Sequence, residues 1–566
     1  MDFFLRLLFG LIFIFFSGGI YRFSYKLLNF LRNNISNENQ YFYSKSLIYF
    51  LTLSIFSILS NGILLLIPLL DYSGFFELNA IIFLQTICNI MLVMIVIIIS
   101  FYGFKYINKI LKKGLISFRD INMIYILKEN NLTRLNNNLT IYLLILPTLI
   151  YVIFFPPSLL NLIGDTGLYH LPYVNHLASF GIEKGLVNLS EKYPFYNLTL
   201  YGQVPFQVLY NIIRDLIPGT TNQTISPSMN ILYFSGFLFY IKENLIEKKA
   251  NMNENYFLDK KILPEIEKTN FSQIKLTPFQ KKYTDLSYHL LIFSFIPLTG
   301  FNFKYSLFSY NIDLILTILT LVLIHSISKS VILNKYDLGA LLLIPLLPIF
   351  KLSGIVSVLY ITLIFFSIKF KLNKEKMFSI VSLRLFLKQN KSYTLFALIL
   401  ILIPSIFFLA TSYIQTGYLI YPSTIFGPLG DHGLSLDQMK IWKEEIINFS
   451  RFMSTNLRIQ NARYVDWLPY FLKSRIGIAS LIIFIYSIFN FLNYVQKKND
   501  PISIISFSYS IANIITIISI ILFFPPDLRF YSWLIAITFF LLAINYSPFI
   551  MNILKNSLSS LFLAIF

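Results

Sequence analysis

Residues 142–163 read YLLILPTLIYVIFFPPSLLNLI, and residues 164–189 follow at once with GDTGLYHLPYVNHLASFGIEKGLVNL. The first stretch carries no charge and is long enough to cross a hydrocarbon core about 30 Å thick. The second holds Asp165, Tyr169, His170, Tyr173, His176 and Glu183. A membrane span that runs straight into a titratable cluster decides the class of this chain. It also marks where its chemistry is to be sought.

Similar apolar runs recur along all 566 residues, of which 56% are hydrophobic and 13% charged. A soluble domain is nearer one-quarter charged. The chain is therefore expected to be an all-α polytopic integral membrane protein. Candidate spans lie at 3–20, 47–70, 77–101, 140–157, 228–241, 287–302, 308–327, 338–350, 352–369, 394–412, 475–494, 502–524, 528–546 and 548–565. That gives about 12–14 transmembrane helices. The runs at 228–241 and 338–350 are short, as tilted, broken or re-entrant segments are. The N-terminal MDFFLRLLFGLIFIFFSGGIY lacks a small-residue cleavage site and reads as a retained first span.

The net charge of +19 is expected to orient the chain in the membrane rather than to bind nucleic acid. Lys and Arg concentrate in 21–45, 104–138, 242–286 and 370–392. Counting spans places these four connections on one side, the cytoplasmic side by the positive-inside rule. The opposite side then receives 158–227, the link at Lys351, the long loop 413–474 and PPDLRF at 525–530. On this reading the unusual polar clusters gather on the extracytoplasmic face. The one cysteine, Cys88, sits in an apolar run, which excludes a disulfide, a Cys-ligated zinc site and a thiol nucleophile. There is no Walker motif, no dinucleotide-type glycine pattern and no H-E-x-x-H.

Within the first external loop, Pro172 fits only the first turn of a helix, which puts a helix start near Leu168. Tyr169, Tyr173, His176 and Phe180 then recur along one face of an interfacial helix. Asp165 precedes that helix, either as an N-cap or as a general base at the membrane edge, where desolvation raises a carboxylate pKa. His170 and His176, six residues apart, are not a same-face pair for a metal. Four further features fall on the same side. YNIDLIL puts Asp313 inside the outer end of a span, where an acid is costly and functional by default. PIFKLSG puts Lys351 between two spans, to bind an anion or to snorkel. TGYLIYPSTIFGPLGDHG (416–433) reads as an ordered binding loop bearing Tyr421, Asp431 and His432, followed by an amphipathic helix LDQMKIWKEEIINFSRFM. FFPPDLRFYSW puts Arg529 at a span mouth, as a phosphate ligand or an interfacial anchor.

The stretch DTGLYHLPYVNHLASFGIEKGLVNL, with GYLIYPSTIFG and PDLRFYSW downstream, resembles a family of large bacterial membrane proteins with a D-T-x-x-Y-H-x-P external-loop motif. The wider layout resembles the GT-C class of membrane glycosyltransferases, over roughly residues 140–546. Residues 1–139 would be N-terminal hairpins with a basic loop, and 547–566 a C-terminal span.

The resemblance implies a GT-C-like fold in the bacterial inner membrane, with its site facing the extracytoplasmic side. It implies transfer of a sugar from a polyprenyl-phosphate-linked donor to a glycan or lipid acceptor of the cell envelope. The catalytic role falls on Asp165, with Tyr169 and His170 orienting it. Lys351 and Arg529 would hold the leaving phosphate, so that no cofactor is required and a divalent metal is optional. Many members of the class carry a second adjacent acid. Here Thr166 stands at that place, and Glu183 or Asp313 would have to supply it. Tyr173, His176, Tyr421, Asp431 and His432 complete the candidate substrate contacts. Two alternatives share the lipid-linked substrate. One is a polysaccharide polymerase or ligase, for which Arg451, Arg458 and Arg463 in the second loop speak. The other is a flippase without covalent chemistry.

Overall fold

The computed structural model describes residues 2–33, 41–42, 44–70, 78–112, 139–140, 142–147, 170–191, 197–216, 229–252, 277–293, 313–333, 335–372, 390–452, 464–497, 500–523 and 531–546. Its elements are helices joined by loops, apart from two residues of strand on each of two connections. In chain order they are α1 (Asp2–Asn33), β1 (Tyr41–Phe42), α2 (Lys45–Leu70), α3 (Leu78–Lys112), α4 (Leu171–Phe180), α5 (Leu198–Leu216), α6 (Met229–Met252), α7 (Pro278–Phe293), α8 (Asp313–Leu333), β2 (Tyr336–Asp337), α9 (Leu338–Leu343) and α10 (Leu347–Phe350). There follow α11 (Gly354–Lys371), α12 (Lys391–Thr416), α13 (Leu436–Phe452), α14 (Tyr464–Lys473), α15 (Arg475–Tyr494), α16 (Pro501–Phe523) and α17 (Trp533–Tyr546). Among the described residues, eight of these helices are long and apolar enough to cross a membrane, and two shorter apolar ones lie at 338–350 and 533–545. A polytopic all-α membrane protein is the class expected from the sequence. The candidate span 548–565 lies outside the described residues, as do most of 140–157 and part of 287–302.

Burial sorts the spans into a centre and a rim. Every residue of α8 from Leu314 to Leu333 is buried. It packs against α6, α7, α11 and α17. On α3, α12 and α15, by contrast, most of the apolar window faces outward, as lipid-facing helices do. Small residues bring the first and third helices together. A Cβ on Gly103 would sit 1.7 Å from Phe15 O, and one on Gly19 would sit 2.1 Å from Ile99 O. Only glycine permits that backbone approach.

The loops sort into two ends. At one, Tyr41 pairs with Tyr336 in a short parallel bridge. There Glu243 accepts from Ser44 Oγ (2.9 Å) and from the N–H groups of Lys45 (2.9 Å) and Ser46 (3.2 Å), capping α2. Lys371 Nζ at the same end donates to the carbonyls of Tyr494, Val495 and Lys497. At the other end Asp313 meets Lys351, and Thr317 Oγ1 lies 2.7 Å from Ser532 Oγ. Each contact joins connections that the counting of spans assigns to one side.

Two local readings change and one is met. The basic connection after the first span is largely helix, because α1 runs on to Asn33 and takes in Arg22, Lys26 and Arg32. Lys26 there lies over the rings of Phe23 and Tyr102. The 338–350 run is broken, as its length suggested, by a 3-10 turn at Ile344–Leu346 ahead of Pro348. Lastly, the loop 158–227 holds the buried helix α5, which the sequence did not reveal. Its residues from Leu198 to Tyr210 are all buried. Phe206 packs on Phe13, Phe16 and Phe56. Gly202 lies so close to Ser57 that an added Cβ would stand 2.3 Å from its Oγ. Ser57 is twelve residues into α2, about 18 Å along it, so α5 dips deep into the bundle.

Candidate functional site

The site is built on α4. Pro172 occupies its first turn, where a missing N–H is tolerated. The helix starts at Leu171, three residues later than the sequence suggested. At its other end Gly181 adopts φ 76°, and Asn89 Nδ2 of α3 donates to Ala178 O at 3.0 Å. On the inner side the Tyr173 hydroxyl lies 2.7 Å from Tyr201 Oη of α5 and accepts from Gln415 Nε2 of α12 at 2.8 Å. Tyr173 is thus buried packing that ties α4 to two neighbours. Phe180 of the same sequence stripe is exposed, so the stripe turns from the core outward instead of lining one surface.

His170 stands just before α4. Burial, and secondly the nearby Lys351 ammonium, push its imidazole down to a pKa of about 3. It is therefore neutral at physiological pH. Lys351 is set by the break between α10 and α11, where the backbone opens to φ −158°, ψ 142°. Its Nζ reaches Asp313 Oδ1 at 2.5 Å, with both side chains mostly shielded from water. Asp313 opens α8 and lies in its first turn, where a carboxylate suits the helix dipole. Three residues named separately from the sequence, His170, Asp313 and Lys351, are in this way brought together from three parts of the chain. A neutral imidazole beside a cation whose counter-charge is a carboxylate is an arrangement able to exchange that carboxylate for an anionic ligand. Asp165, Tyr169 and Arg529 lie outside the described residues.

The remaining candidates form a second group. Glu183 Oε2 lies 2.7 Å from His176 Nε2, so this acid is engaged within its own loop. The 416–434 loop docks on the first. Gly185 N–H donates to Ile414 O at 3.0 Å, Asn188 Nδ2 to His432 O at 2.9 Å, and Tyr421 Oη to Glu191 O at 2.6 Å. His432 Nε2 is 2.9 Å from Tyr413 O, whereas the Asp431 side chain is fully exposed. Val187, Tyr418, Tyr421, Leu434 and Met439 close a small core between the two loops. The amphipathic helix expected after the loop is α13. Arg451 on it lies over the ring of Trp467, while Arg458 and Arg463 lie outside the described residues. Among the described residues, no group of three or more His, Cys, Asp or Glu could hold a metal ion.

Sequence reasoning missed a set of buried ionisable residues far from this end. His325 of α8 has Tyr240 Oη 2.8 Å from Nδ1 and Ser287 Oγ 3.4 Å from Nε2. Lys329, one turn on, donates to Asn244 Oδ1 at 3.3 Å, and Lys242 to Thr140 Oγ1 at 2.7 Å. Asp337 accepts from Ser326 Oγ at 2.7 Å and from Gly339 N–H at 3.1 Å. The expectation that polar groups gather on one face is corrected by these four. The signal of His325 and Lys329 was IHSISKS (324–330), a polar break at the end of a span that its apolar flank concealed.

Compared with known proteins, the chain matches no family model, no curated protein and no solved structure.

Proposed function

We propose that this protein transfers a sugar from a polyprenyl-phosphate-linked donor to a cell-envelope acceptor, at the end of the bundle that carries α4. The observation that supports the reading is the assembly of His170, Asp313 and Lys351, His170 following Asp165 by five residues in the sequence. Asp165 takes the proton of an acceptor hydroxyl. The oxygen attacks the anomeric carbon, and the bond from that carbon to the phosphate oxygen breaks. Lys351, released from Asp313, and Arg529 balance the charge on the departing polyprenyl phosphate, where fixed cations contribute most. Neutral His170 orients the acceptor or Asp165 by hydrogen bonding.

The test is transfer from a panel of radiolabelled polyprenyl-phosphate sugars by the purified full chain in nanodiscs. Asp165→Asn is expected to lower transfer by at least about a hundredfold while undecaprenyl phosphate still binds. Transfer at the wild-type rate would remove Asp165 from the mechanism.

A second reading, a flippase of lipid-linked sugars, has its own observation in His325 and Lys329, buried within a span. Ionisable residues at that depth accompany transport paths. Translocation of a fluorescent polyprenyl-phosphate sugar across proteoliposomes, undiminished in Asp165→Asn, would favour it.

A further inference from the structure

The lipid-facing surface does not stop where the spans end. On α3, Ile82, Phe83 and Ile90 are exposed. Phe180 adjoins this face, because Asn89 and Gln85 of α3 hold the end of α4, and Gln85 Oε1 lies 2.7 Å from where a Cβ on Gly181 would stand. Its ring is exposed as well. The chain then runs to Leu189, whose side chain is 70% exposed. Its neighbour Asn188 is bonded to His432 in the second loop.

The second loop is joined to the first by the Asn188–His432 and Tyr421–Glu191 bonds. Leu429 N–H donates to Gly417 O at 2.9 Å, and His432 Nε2 meets Tyr413 O. Residues 429–433 are thereby folded back onto the last turn of α12. That helix has 26 residues, about 39 Å of length, against a core of about 30 Å. Its lipid-facing stripe runs through Leu395, Leu398, Leu402 and Ile406. The fold-back therefore keeps residues 429–433 against the end of α12. The tip exposes Ile425 (79%), Phe426 and Leu429.

We propose that the two docked loops, 180–191 and 417–434, form one lipid-contacting collar, with Phe180, Leu189, Ile425, Phe426 and Leu429 seated in the boundary between headgroups and acyl chains. Continuity with the exposed faces of α3 and α12 identifies the occupant as lipid. The same seating brings bilayer lipid up to the elements that carry His170 and Lys351. Nothing in this inference depends on glycosyl transfer.

Single cysteines at Phe426→Cys, Leu189→Cys and Asp431→Cys, in a Cys88→Ser background, are to be labelled with an NBD fluorophore in the full chain. Each is reconstituted in phosphatidylcholine–phosphatidylglycerol nanodiscs, which leave both faces open. Should Cys88→Ser lose its monodisperse elution, Cys88→Ala replaces it. Probes at 426 and 189 are expected to be quenched several-fold more by doxyl-labelled lipid than the probe at 431, and several-fold less by aqueous iodide. Iodide quenching at 426 and 189 equal to that at 431 would overturn the collar. Lipid quenching at only one of the two would overturn its being a single surface.

Discussion

Lys351 Nζ lies 2.5 Å from Asp313 Oδ1, so the break between α10 and α11 is tied to the first turn of the central helix α8. The two residues are 38 positions apart in the chain. Their side chains are shielded but not dry, which places the pair between a surface ion pair and a buried one. A double-mutant cycle of Lys351→Met and Asp313→Asn is expected to give a coupling of about 1 kcal/mol. Thermal unfolding in detergent measures it. Zero coupling would mean that the two groups merely lie close.

Asp337 makes stability depend on pH. Burial, with Glu243 adding to the effect, pushes its carboxyl from the ordinary 3.8 up to about 7. The folded protein keeps this proton to about pH 7, whereas the unfolded chain releases it near 3.8. Folding takes up a proton between those values. This contribution to stability therefore falls as pH rises from about 4 to about 7, and is level above that. Asp337→Asn is expected to flatten that slope, read as unfolding temperature against pH. An unchanged slope would assign it to other groups.

His170 acts with the opposite sign. Its folded pKa of about 3 lies below the ordinary 6.5, so the unfolded chain binds the extra proton. The stability that depends on a neutral ring is full above pH 6.5 and declines as pH falls toward 3. His170→Gln keeps a neutral polar side chain there. The variant is expected to lose part of the acid sensitivity while unfolding at the wild-type temperature at pH 8. Equal acid sensitivity in both proteins would show the imidazole to be solvated.

Asn89 holds the C-terminal carbonyl of α4 from a neighbouring span. Asn89→Leu leaves Ala178 O with only the longer 3.5 Å contact from Gln85 Nε2. A lost bond of this kind costs about 1 kcal/mol. Hydrogen exchange in peptides covering 171–185 is expected to quicken while exchange in α8 stays slow. Unaltered exchange around α4 would mean that Tyr173 and its partners suffice to hold it.

Gly103→Val places atoms where Phe15 O now lies. The crossing of α1 and α3 has no slack, so the variant is expected to lose monodisperse elution. Gly427→Ala is the control. Gly427, unlike Gly103, has a positive φ, but an added Cβ there meets nothing within 4 Å, so only backbone strain is felt.

What could be read from the sequence followed from local rules. Pro172 fixed the first turn of α4 to within three residues, since proline tolerates few places in a helix. The amphipathic stretch LDQMKIWKEEIINFSRFM gave α13. Lys351 and Asp313 were each conspicuous as charges beside apolar runs, but their pairing depends on how α8 packs against α11, the helix that follows Lys351, which no local pattern encodes. α5 was missed for a definite reason. Gln203, Gln207, Asn211 and Arg214 dilute its apolar character, and only in the fold does Gln203 Oε1 turn out to accept from Met229 N–H. His325 and Lys329 were missed for the converse reason, as the apolar residues ahead of them set the average of the span.

The full burial of α8 bears on how the protein is made. Its enclosing partners come from both directions along the chain, with α6 and α7 preceding it and α11 and α17 following. A ribosome that has just released residue 333 has produced a helix apolar enough to enter the bilayer, yet one whose Thr317, Thr320 and Ser328 still lack their partners Ser532, Ser357 and Tyr509. The wall that closes over it is not complete until residues 533–546 arrive, some two hundred residues later. Assembly in the membrane is therefore a late enclosure rather than a sequential stacking of hairpins. Chains arrested before α17 would present an open trough lined by the polar side of their own central helix.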